Sequence, residues 1–197
     1  MVSVTAVDPL CFGSCDGTLT IDAINATQYS IDNGTSFQVS ASFAGACSGT
    51  YDIVVQSSNG CEAVGNATVT DPAQLTLSII TQDAVCNGGC DGSINAVVNG
   101  GTVSAGYNYN WSGGIASSTD PNAINVCAGT YDLIVTDDNG CVIDSVFTLS
   151  QPLELSINAT ISNNACSTDS NGVVELVTTG GVGGISFQLV FYIRLRQ

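Results

Sequence analysis

The chain of 197 residues contains no histidine and no lysine, and it has only two basic residues, both arginine. Without His or Lys there can be no Ser-His-Asp or Cys-His catalytic system, no Schiff base and no zinc site of the Cys/His kind. The 17 acidic residues give a formal net charge of -15. Nucleic acids and anionic lipids are therefore poor partners, because binding to either depends on neutralising phosphates with Lys and Arg.

Long apolar runs and helical periodicity are also missing. The longest apolar run, residues 189–193, is far shorter than the ~20 residues that span a bilayer. No stretch of more than about ten residues has a 3.6-residue apolar period, so we expect essentially no helix. With 44% apolar residues, many of them alternating with polar ones, the chain is predicted to fold as an all-β protein.

One 13-residue stretch occurs twice, as residues 49–61 and as residues 129–141. In the second copy Tyr131, Leu133 and Val135 alternate with more polar residues, which is typical of a strand with one buried face. The strand leads into Asn139-Gly140, the pair that favours a type I′ turn. A second alternating run begins at Cys141, so the stretch predicts a β-hairpin.

The same spacing extends over the whole chain and defines a tandem array. Cys11 and Cys15 recur as Cys86 and Cys90, and Cys47, Cys61 and Pro72 recur as Cys127, Cys141 and Pro152. The two prolines mark boundaries, because proline cannot donate to a sheet and holds its predecessor extended. We define repeat 1 as residues 1–72, repeat 2 as residues 73–152, and a truncated repeat 3 as residues 153–197. The short links predict stiff, end-to-end stacking.

Each complete repeat is predicted to contain six strands. In repeat 1 they are residues 2–7, 17–24, 28–31, 36–42, 49–56 and 61–70, and in repeat 2 they are residues 75–82, 92–98, 106–111, 123–126, 129–136 and 141–149. This number of short strands predicts an antiparallel, immunoglobulin-like β-sandwich. Tyr51 and Tyr131 lie where such a sandwich has a tyrosine corner, although an ordinary core tyrosine explains them equally well.

The nine cysteines indicate an oxidising compartment, where small β-domains are stabilised by disulfides. Each complete repeat has four: Cys11, Cys15, Cys47 and Cys61 in repeat 1, and Cys86, Cys90, Cys127 and Cys141 in repeat 2. Cys47 and Cys61 lie at opposite ends of one hairpin, more than about 20 Å apart, which excludes that pairing and with it Cys11–Cys15. Two pairings within a repeat remain open. Catalytic thiols are disfavoured, because no basic neighbour is present.

Two sets of residues are candidate ligand sites. Tyr107, Tyr109 and Trp111 lie on one face of a predicted strand and could stack on a sugar, although a core tryptophan explains them better. The turn residues Asp137, Asp138 and Asn139 offer oxygen ligands for Ca²⁺, but Asp, Asn and Gly are also what tight turns select. The acids lie mostly in turns or on exposed strand faces, so a carboxylate-based hydrolase, and an enzyme in general, is not expected.

Taken together, these residues resemble the SprB-type repeat. In repeat 2 the pattern consists of a Cys-x3-Cys-Asp-Gly loop, a Gly-Gly pair, Tyr-x-Tyr-x-Trp, Cys-Ala-Gly-Thr-Tyr and Asn-Gly-Cys. Repeat 1 resembles the variant that lacks Gly-Gly and Trp. The resemblance extends to about residue 185, but repeat 3 has Ser170 and Asn171 where Cys-Asp is expected, and its last residues depart from the pattern.

The resemblance implies both a pairing and a function. In the family the Cys before Asp-Gly and the Cys before Ala-Gly form a matched pair, which implies Cys15–Cys47 and Cys90–Cys127, and leaves Cys11–Cys61 and Cys86–Cys141. Cys166 would then be unpaired. Such repeats occur in very long cell-surface proteins of Bacteroidota, including the adhesin of gliding motility. The expected function is a structural or adhesive repeat segment of a secreted cell-surface protein, and the alternative is a carbohydrate-binding module. The expected partners are neighbouring repeats and a surface polysaccharide or another cell-surface adhesion target. No cofactor is expected.

Overall fold

The computed structural model describes residues 1–115, 120–163, 172–188 and 190. Its regular elements are fourteen β-strands, and this part of the chain contains no helix that could cross a membrane. The strands are β1 Val2–Val7, β2 Gly17–Ala23, β3 Ala26–Ser30, β4 Ser42–Ala46, β5 Gly49–Ser57, β6 Glu62–Val69, β7 Thr76–Gln82, β8 Gly92–Asn99, β9 Asn108–Trp111, β10 Asn122–Val126, β11 Gly129–Thr136, β12 Val142–Leu149, β13 Ser156–Ser162 and β14 Val173–Thr179. The predicted all-β class is confirmed.

Repeat 1 is a sandwich of two three-stranded antiparallel sheets, with strand orders β1-β2-β4 and β3-β5-β6. These orders correspond to A-B-E and C-F-G of an immunoglobulin-like sandwich without its D strand. The two sheets share one core, because Leu19 and Ala46 of the first sheet pack with Ala67 and Val69 of the second. Alternation along the strands therefore turns one face of each sheet inward, as the sequence predicts.

Repeat 2 has the same strand orders, β7-β8-β10 and β9-β11-β12. Along β11 the side chains of Tyr131, Leu133 and Val135 are buried, as the alternating pattern predicts. In repeat 3 the structure describes one two-stranded antiparallel sheet, β13-β14.

One predicted strand is misplaced. The sequence predicts the fourth strand at residues 36–42, but β4 is Ser42–Ala46. The preceding segment is tied into a local loop, in which Gln38 exchanges backbone hydrogen bonds with Tyr29 and its side-chain amide donates to the carbonyls of Ser40 and Ser42 (both 3.0 Å). The repeat spacing predicts the correct position of this strand, since β4 and β10 begin at equivalent positions of the two repeats.

The turn at Asn139-Gly140 also differs from the prediction. Gly140 has a φ of 84°, but Asn139 does not have a positive φ. Gly140 N donates to the Asp137 carbonyl (3.1 Å) and Asp137 N donates to the Cys141 carbonyl (3.0 Å), which is the pattern of a three-residue loop with a G1 bulge. A type I′ pair does occur at Asn33-Gly34, where both φ angles are positive, 56° and 79°.

By its internal contacts the described chain divides into two compact units. Unit 1 comprises residues 1–80, 95–122 and 131–147, and unit 2 comprises the remaining segments, 81–94, 123–130 and 148–197. This division runs through the strands of repeat 2. The predicted repeat boundaries at residues 72/73 and 152/153 stay predictions.

Candidate functional site: the cysteine junction and the aromatic strand

The Cys-x3-Cys segment of repeat 1 is a compact loop held by an aspartate. Asp16 Oδ1 accepts hydrogen bonds from the Ser14 hydroxyl (2.6 Å) and from Leu10 N (3.1 Å). The hydrogen bond from the Ser14 hydroxyl, and after it the one from Leu10 N, lowers the pKa of the Asp16 carboxyl. Ser14 N also donates to the Cys11 carbonyl (3.1 Å). Cys11 and Cys15 are therefore fixed on one small turn.

Two disulfides lie within repeats. Cys15 is bonded to Cys47 across 32 residues, and Cys90 is bonded to Cys127 across 37 residues. Both bonds match the pairing that the SprB resemblance implies. Each joins the loop before the second strand of a repeat to the end of the fourth strand.

The third disulfide differs from the expectation and joins two repeats. Cys11 of repeat 1 is bonded to Cys141 of repeat 2, with an S–S distance of 2.06 Å, a Cα–Cα distance of 5.6 Å and a separation of 130 residues. The expected Cys11–Cys61 and Cys86–Cys141 pairings are therefore wrong. Cys61 and Cys86 are exposed free thiols in the described part of the chain. Cys166 lies outside the described residues.

The length of β5 explains why a bond from Cys11 to Cys61 cannot form. The Cys15–Cys47 bond places the Cys11 loop at the end of repeat 1 where β5 begins. Cys61 follows the turn at the other end of β5, a nine-residue strand about 30 Å long. Cys11 and Cys15 are four positions apart in the chain, which reaches at most about 14 Å. Cys11 therefore faces the next repeat, where the β11–β12 turn presents Cys141.

Hydrogen bonds reinforce this junction around the disulfide. The Asn139 side-chain amide donates to the Leu10 carbonyl (3.0 Å) and to the Thr102 hydroxyl (3.1 Å). Gly101 N donates to the carbonyl of Ala73, in the link between the repeats (2.8 Å). At Gly100, with a φ of 81°, an added Cβ would overlap the Gln74 carbonyl, so only glycine fits this close approach. The Gly-Gly pair thus anchors the link to repeat 2.

The turn residues proposed as calcium ligands are engaged by N–H donors. Asp137 is only 3% exposed and accepts from the backbone N of Thr102 (2.8 Å), Asn139 (3.0 Å) and Cys141 (2.9 Å). Asp138 accepts from the hydroxyl and the backbone N of Ser104, and these bonds lower the pKa of its carboxyl. No group of three or more His, Cys, Asp or Glu residues in the described ranges could hold a metal. Both aspartates act here as acceptors that order loops.

The aromatic strand β9 is split between core and surface. Trp111 is 5% exposed, donates through Nε1 to the Asp120 carbonyl (3.2 Å) and makes an edge contact with Phe147 at a centroid distance of 6.3 Å. Its ring is a core element and is withdrawn from the sugar-stacking face proposed for Tyr107, Tyr109 and Trp111. Tyr107 and Tyr109 are half-buried and meet edge to face at 6.5 Å. Partial burial raises the pKa of Tyr109.

The tyrosine at the start of β5 has a structural role. The Tyr51 hydroxyl donates to the Cys47 carbonyl (2.9 Å), four residues upstream. This bond is the feature that defines a tyrosine corner. It ties the start of β5 to Cys47, and so to the Cys-x3-Cys loop.

Residues 78–115 match the family model described as the SprB repeat. The resemblance read from the sequence is confirmed for these residues, which comprise most of β7, the Cys86–Cys90 loop, β8 and β9. No curated protein matches the sequence. Among solved structures, the N-terminal four Ig domains of Dscam1 isoform 4.4 are similar at 18% identity, covering 72% of this chain and 41% of that chain with a TM-score of 0.32.

Proposed function

We propose that this chain is a structural repeat segment of a secreted cell-surface protein, acting as a disulfide-stapled spacer. The observation that carries the proposal is the Cys11–Cys141 bond, which joins one repeat to the next. The match of residues 78–115 to the SprB repeat supports a place at the cell surface. Three disulfides fit an extracellular compartment. Adhesion to a surface polysaccharide or another cell-surface target, a role in gliding motility and an origin in Bacteroidota follow from the family resemblance.

The inter-repeat bond has a direct mechanical consequence. Residues 11 to 141 form a closed covalent loop, so a force applied to the two chain ends passes through the disulfide and bypasses the chain between its cysteines, which are 130 positions apart. Even if both β-sandwiches unfold, this part of the chain cannot extend. A spacer that must keep its length under load benefits from this arrangement.

The composition suits the same role. A net charge of -15 keeps a long extracellular chain soluble, and the absence of lysine leaves few sites for trypsin-like cleavage. The inventory of side chains offers no catalytic system, so we propose no enzymatic activity and no cofactor. The alternative function, a carbohydrate-binding module, depends on an aromatic face from which Trp111 is absent. We therefore place the spacer first.

Single-molecule force spectroscopy of the full chain, held at its two ends, tests the proposal. At ~3.5 Å per residue, the 130 residues enclosed by the bond correspond to about 450 Å of contour length. This length should be missing from the oxidised chain and should appear after reduction. The double variant Cys11→Ser/Cys141→Ser keeps the bonds that enclose 32 and 37 residues, so it should recover only the length outside those two loops, about 210 Å.

Full extension of the oxidised wild-type chain would refute the stapled spacer. As a control, the variant Cys61→Ser/Cys86→Ser should extend like wild type, because neither thiol is bonded in the structure. Any difference between these two chains would show that one of the free thiols contributes to the load path.

A further inference from the structure

We infer that Cys86 and Cys61 are the open halves of two further inter-repeat disulfides, and that the Cys11–Cys141 bond is one member of a continuing series. In this series the first cysteine of each Cys-x3-Cys loop bonds to the last cysteine of the following repeat. Cys86 would form a disulfide with the last cysteine of a repeat that follows repeat 2. Cys61 would form one with the first cysteine of a repeat that precedes repeat 1. The inference deepens the proposed spacer function and rests on it.

The loop that carries Cys86 is built like the loop that carries Cys11. Asp91 Oδ1 accepts from Val85 N (3.0 Å), as Asp16 Oδ1 does from Leu10 N. Ser150 N donates to Asp83 Oδ1 (2.8 Å), matching the bond from Thr70 N to Asp8. Cys86 is therefore held in the same local setting as Cys11.

The link that follows repeat 2 is hydrogen-bonded to the Cys86–Cys90 loop, as the link that follows repeat 1 is to the Cys11–Cys15 loop. Gly88 N donates to the Gln151 side chain (2.8 Å), where Gly13 N donates to the Asp71 side chain (3.2 Å). Asn87 adds a bond from its amide to the Pro152 carbonyl (2.9 Å). The Cys86 loop thus meets the beginning of repeat 3 as the Cys11 loop meets the beginning of repeat 2.

The two loops line equivalent clefts, and among the described residues only the first cleft receives a hairpin. The first, of about 290 Å³, is lined by Cys11, the link 72–75, Gly101 and the hairpin segment 141–143. The second, of about 550 Å³, is lined by Cys86, the link 152–155 and Gly181. Its other walls, as far as the structure describes them, contain no counterpart of the hairpin segment. The occupant that fits the second cleft is therefore a hairpin with a cysteine just after its turn.

Repeat 3 holds its link to the preceding repeat through the same glycine pair as repeat 2. Gly181 N donates to the Leu153 carbonyl (2.9 Å), as Gly101 N does to Ala73. An added Cβ at Gly180 would overlap the Glu154 carbonyl, as one at Gly100 would overlap Gln74. The Gly-Gly anchor that precedes the cysteine hairpin in repeat 2 is thus repeated in repeat 3.

In the described part of repeat 3, the apolar face of the β13-β14 sheet is exposed. Val174 on β14 is 49% exposed, whereas its equivalent Ile94 on β8, in a repeat that has two sheets, is 2% exposed. The second sheet of repeat 2 is β9-β11-β12, and Cys141 directly precedes its edge strand β12. A complete repeat after repeat 2 would supply both a second sheet to cover this face and a cysteine that can bond to Cys86.

The bond forms by thiol–disulfide exchange. The two thiols lose two protons and two electrons as the new S–S bond forms. A disulfide oxidant, such as oxidised glutathione, is reduced to two thiols and takes up both. The same oxidant class is needed for the three bonds already present.

A continuing series would make an array nearly inextensible. Force would leave one inter-repeat bond at Cys141, follow the chain back along β11 to Cys127, cross to Cys90 and follow the loop to Cys86, where the next inter-repeat bond begins. Only about 18 residues of each repeat would lie in this load path, and their extended length is about 60 Å. The Cys90–Cys127 bond would therefore carry force in addition to stabilising its repeat.

Two extended chains test the inference in a glutathione redox buffer. In the first, a copy of residues 105–152 follows Gly184 and completes repeat 3, bringing a copy of Cys141 into register. In the second, a copy of residues 73–155 precedes Met1 and brings a copy of Cys86 ahead of repeat 1. Alkylation under native conditions, followed by disulfide mapping, identifies the bonds.

In the unextended chain both Cys61 and Cys86 should be alkylated. In the first extended chain Cys86 should be protected and bonded to the copied Cys141, while Cys61 stays reactive. In the second, Cys61 should be bonded to the copied Cys86. The matched controls carry Ser in place of the copied Cys141 in the first extended chain and of the copied Cys86 in the second. They should leave Cys86 and Cys61, respectively, reactive.

The second chain places the new bond on repeat 1, which is complete, so the test holds even if the completed repeat 3 does not fold. If Cys61 stays reactive in that chain while Cys11–Cys141 is mapped, the series is refuted and the spacer proposal stands. If Cys11–Cys141 is not found in the unextended chain, the spacer proposal itself fails.

Discussion

Asp137 should stabilise repeat 2 through the hydrogen bonds that it accepts rather than as a metal ligand. Its carboxylate is 3% exposed and accepts from three backbone N–H groups, those of Thr102, Asn139 and Cys141. The equivalent residue of repeat 1 is Ser57, whose hydroxyl accepts from Cys61 N alone (3.1 Å). Serine is therefore sufficient for the turn, and the carboxylate is needed to hold the Gly-Gly segment as well.

The substitution Asp137→Ser separates these two roles. Serine can keep the bond to Cys141 N, so two N–H groups, those of Thr102 and Asn139, lose their acceptor. Each lost acceptor for a part-buried donor costs on the order of 1 kcal/mol, so we expect a loss of about 2 kcal/mol. Asp137→Ala, which removes the third bond too, should cost about 3 kcal/mol.

Urea unfolding followed by tryptophan fluorescence measures this effect in repeat 2 specifically, because Trp111 is the one tryptophan of the chain. With a slope of about 1 kcal/mol per molar urea for a small domain, the Asp137→Ser midpoint should fall by about 2 M. The control Asp144→Ser removes the same charge from an exposed position on β12. Equal midpoints for the two variants would refute the assigned role of Asp137.

Four further outcomes are expected. Gly100→Ala should destabilise repeat 2 by clearly more than the ~1 kcal/mol of backbone strain expected for Gly60→Ala, because both glycines have φ near 80° but only a Cβ at Gly100 meets the Gln74 carbonyl; equal unfolding midpoints would contradict this. Bonds from Ser36 and Ser30 lower the pKa of Asp32 to about 2, so its contribution to stability should be complete above pH 3.8 and lost as the pH falls through 2; a carboxyl titration by NMR with a midpoint near 4 would disprove it. Excess dithiothreitol should lower the thermal midpoint, since loops of 32 and 37 residues contribute about 4 kcal/mol each in the chain-entropy model; an unchanged midpoint would argue against the bonds. Millimolar Ca²⁺ should shift the melting temperature little, and a rise of about 5 °C or more would show binding to the folded state.

Strand positions could be predicted from the sequence wherever burial alternates strictly. The β11 strand follows this rule, because one face of its sheet packs on the other sheet. The fourth strand of repeat 1 is harder to place, because Phe37 and Val39 imitate the alternation in a segment held by side-chain hydrogen bonds of Gln38. Local polar contacts of this kind leave no periodic signal.

The candidate sites were harder to predict, since composition does not distinguish a ligand from a structural acceptor. Asp137 could be a cation ligand or a turn residue by sequence, and only the positions of the N–H groups around it show which groups it binds. Trp111 can be assigned to the core on general grounds, and its contact with Phe147 supplies the specific reason.

The inter-repeat disulfide could have been predicted from strand direction together with the Cys15–Cys47 pairing. A hairpin with strands of eight or nine residues separates its two ends by about 30 Å, so the cysteine after its turn lies at the end of the repeat where the chain enters. The Cys-x3-Cys loop, tied to Cys47, lies at the end where the chain leaves for the next repeat. Two cysteines at opposite ends of every repeat cannot bond to each other, but they meet their counterparts when repeats follow one another with a short link. When all disulfides are assumed to lie within a repeat, this pairing is missed. Four cysteines per repeat can all pair internally, so their number does not indicate a bond that crosses the boundary.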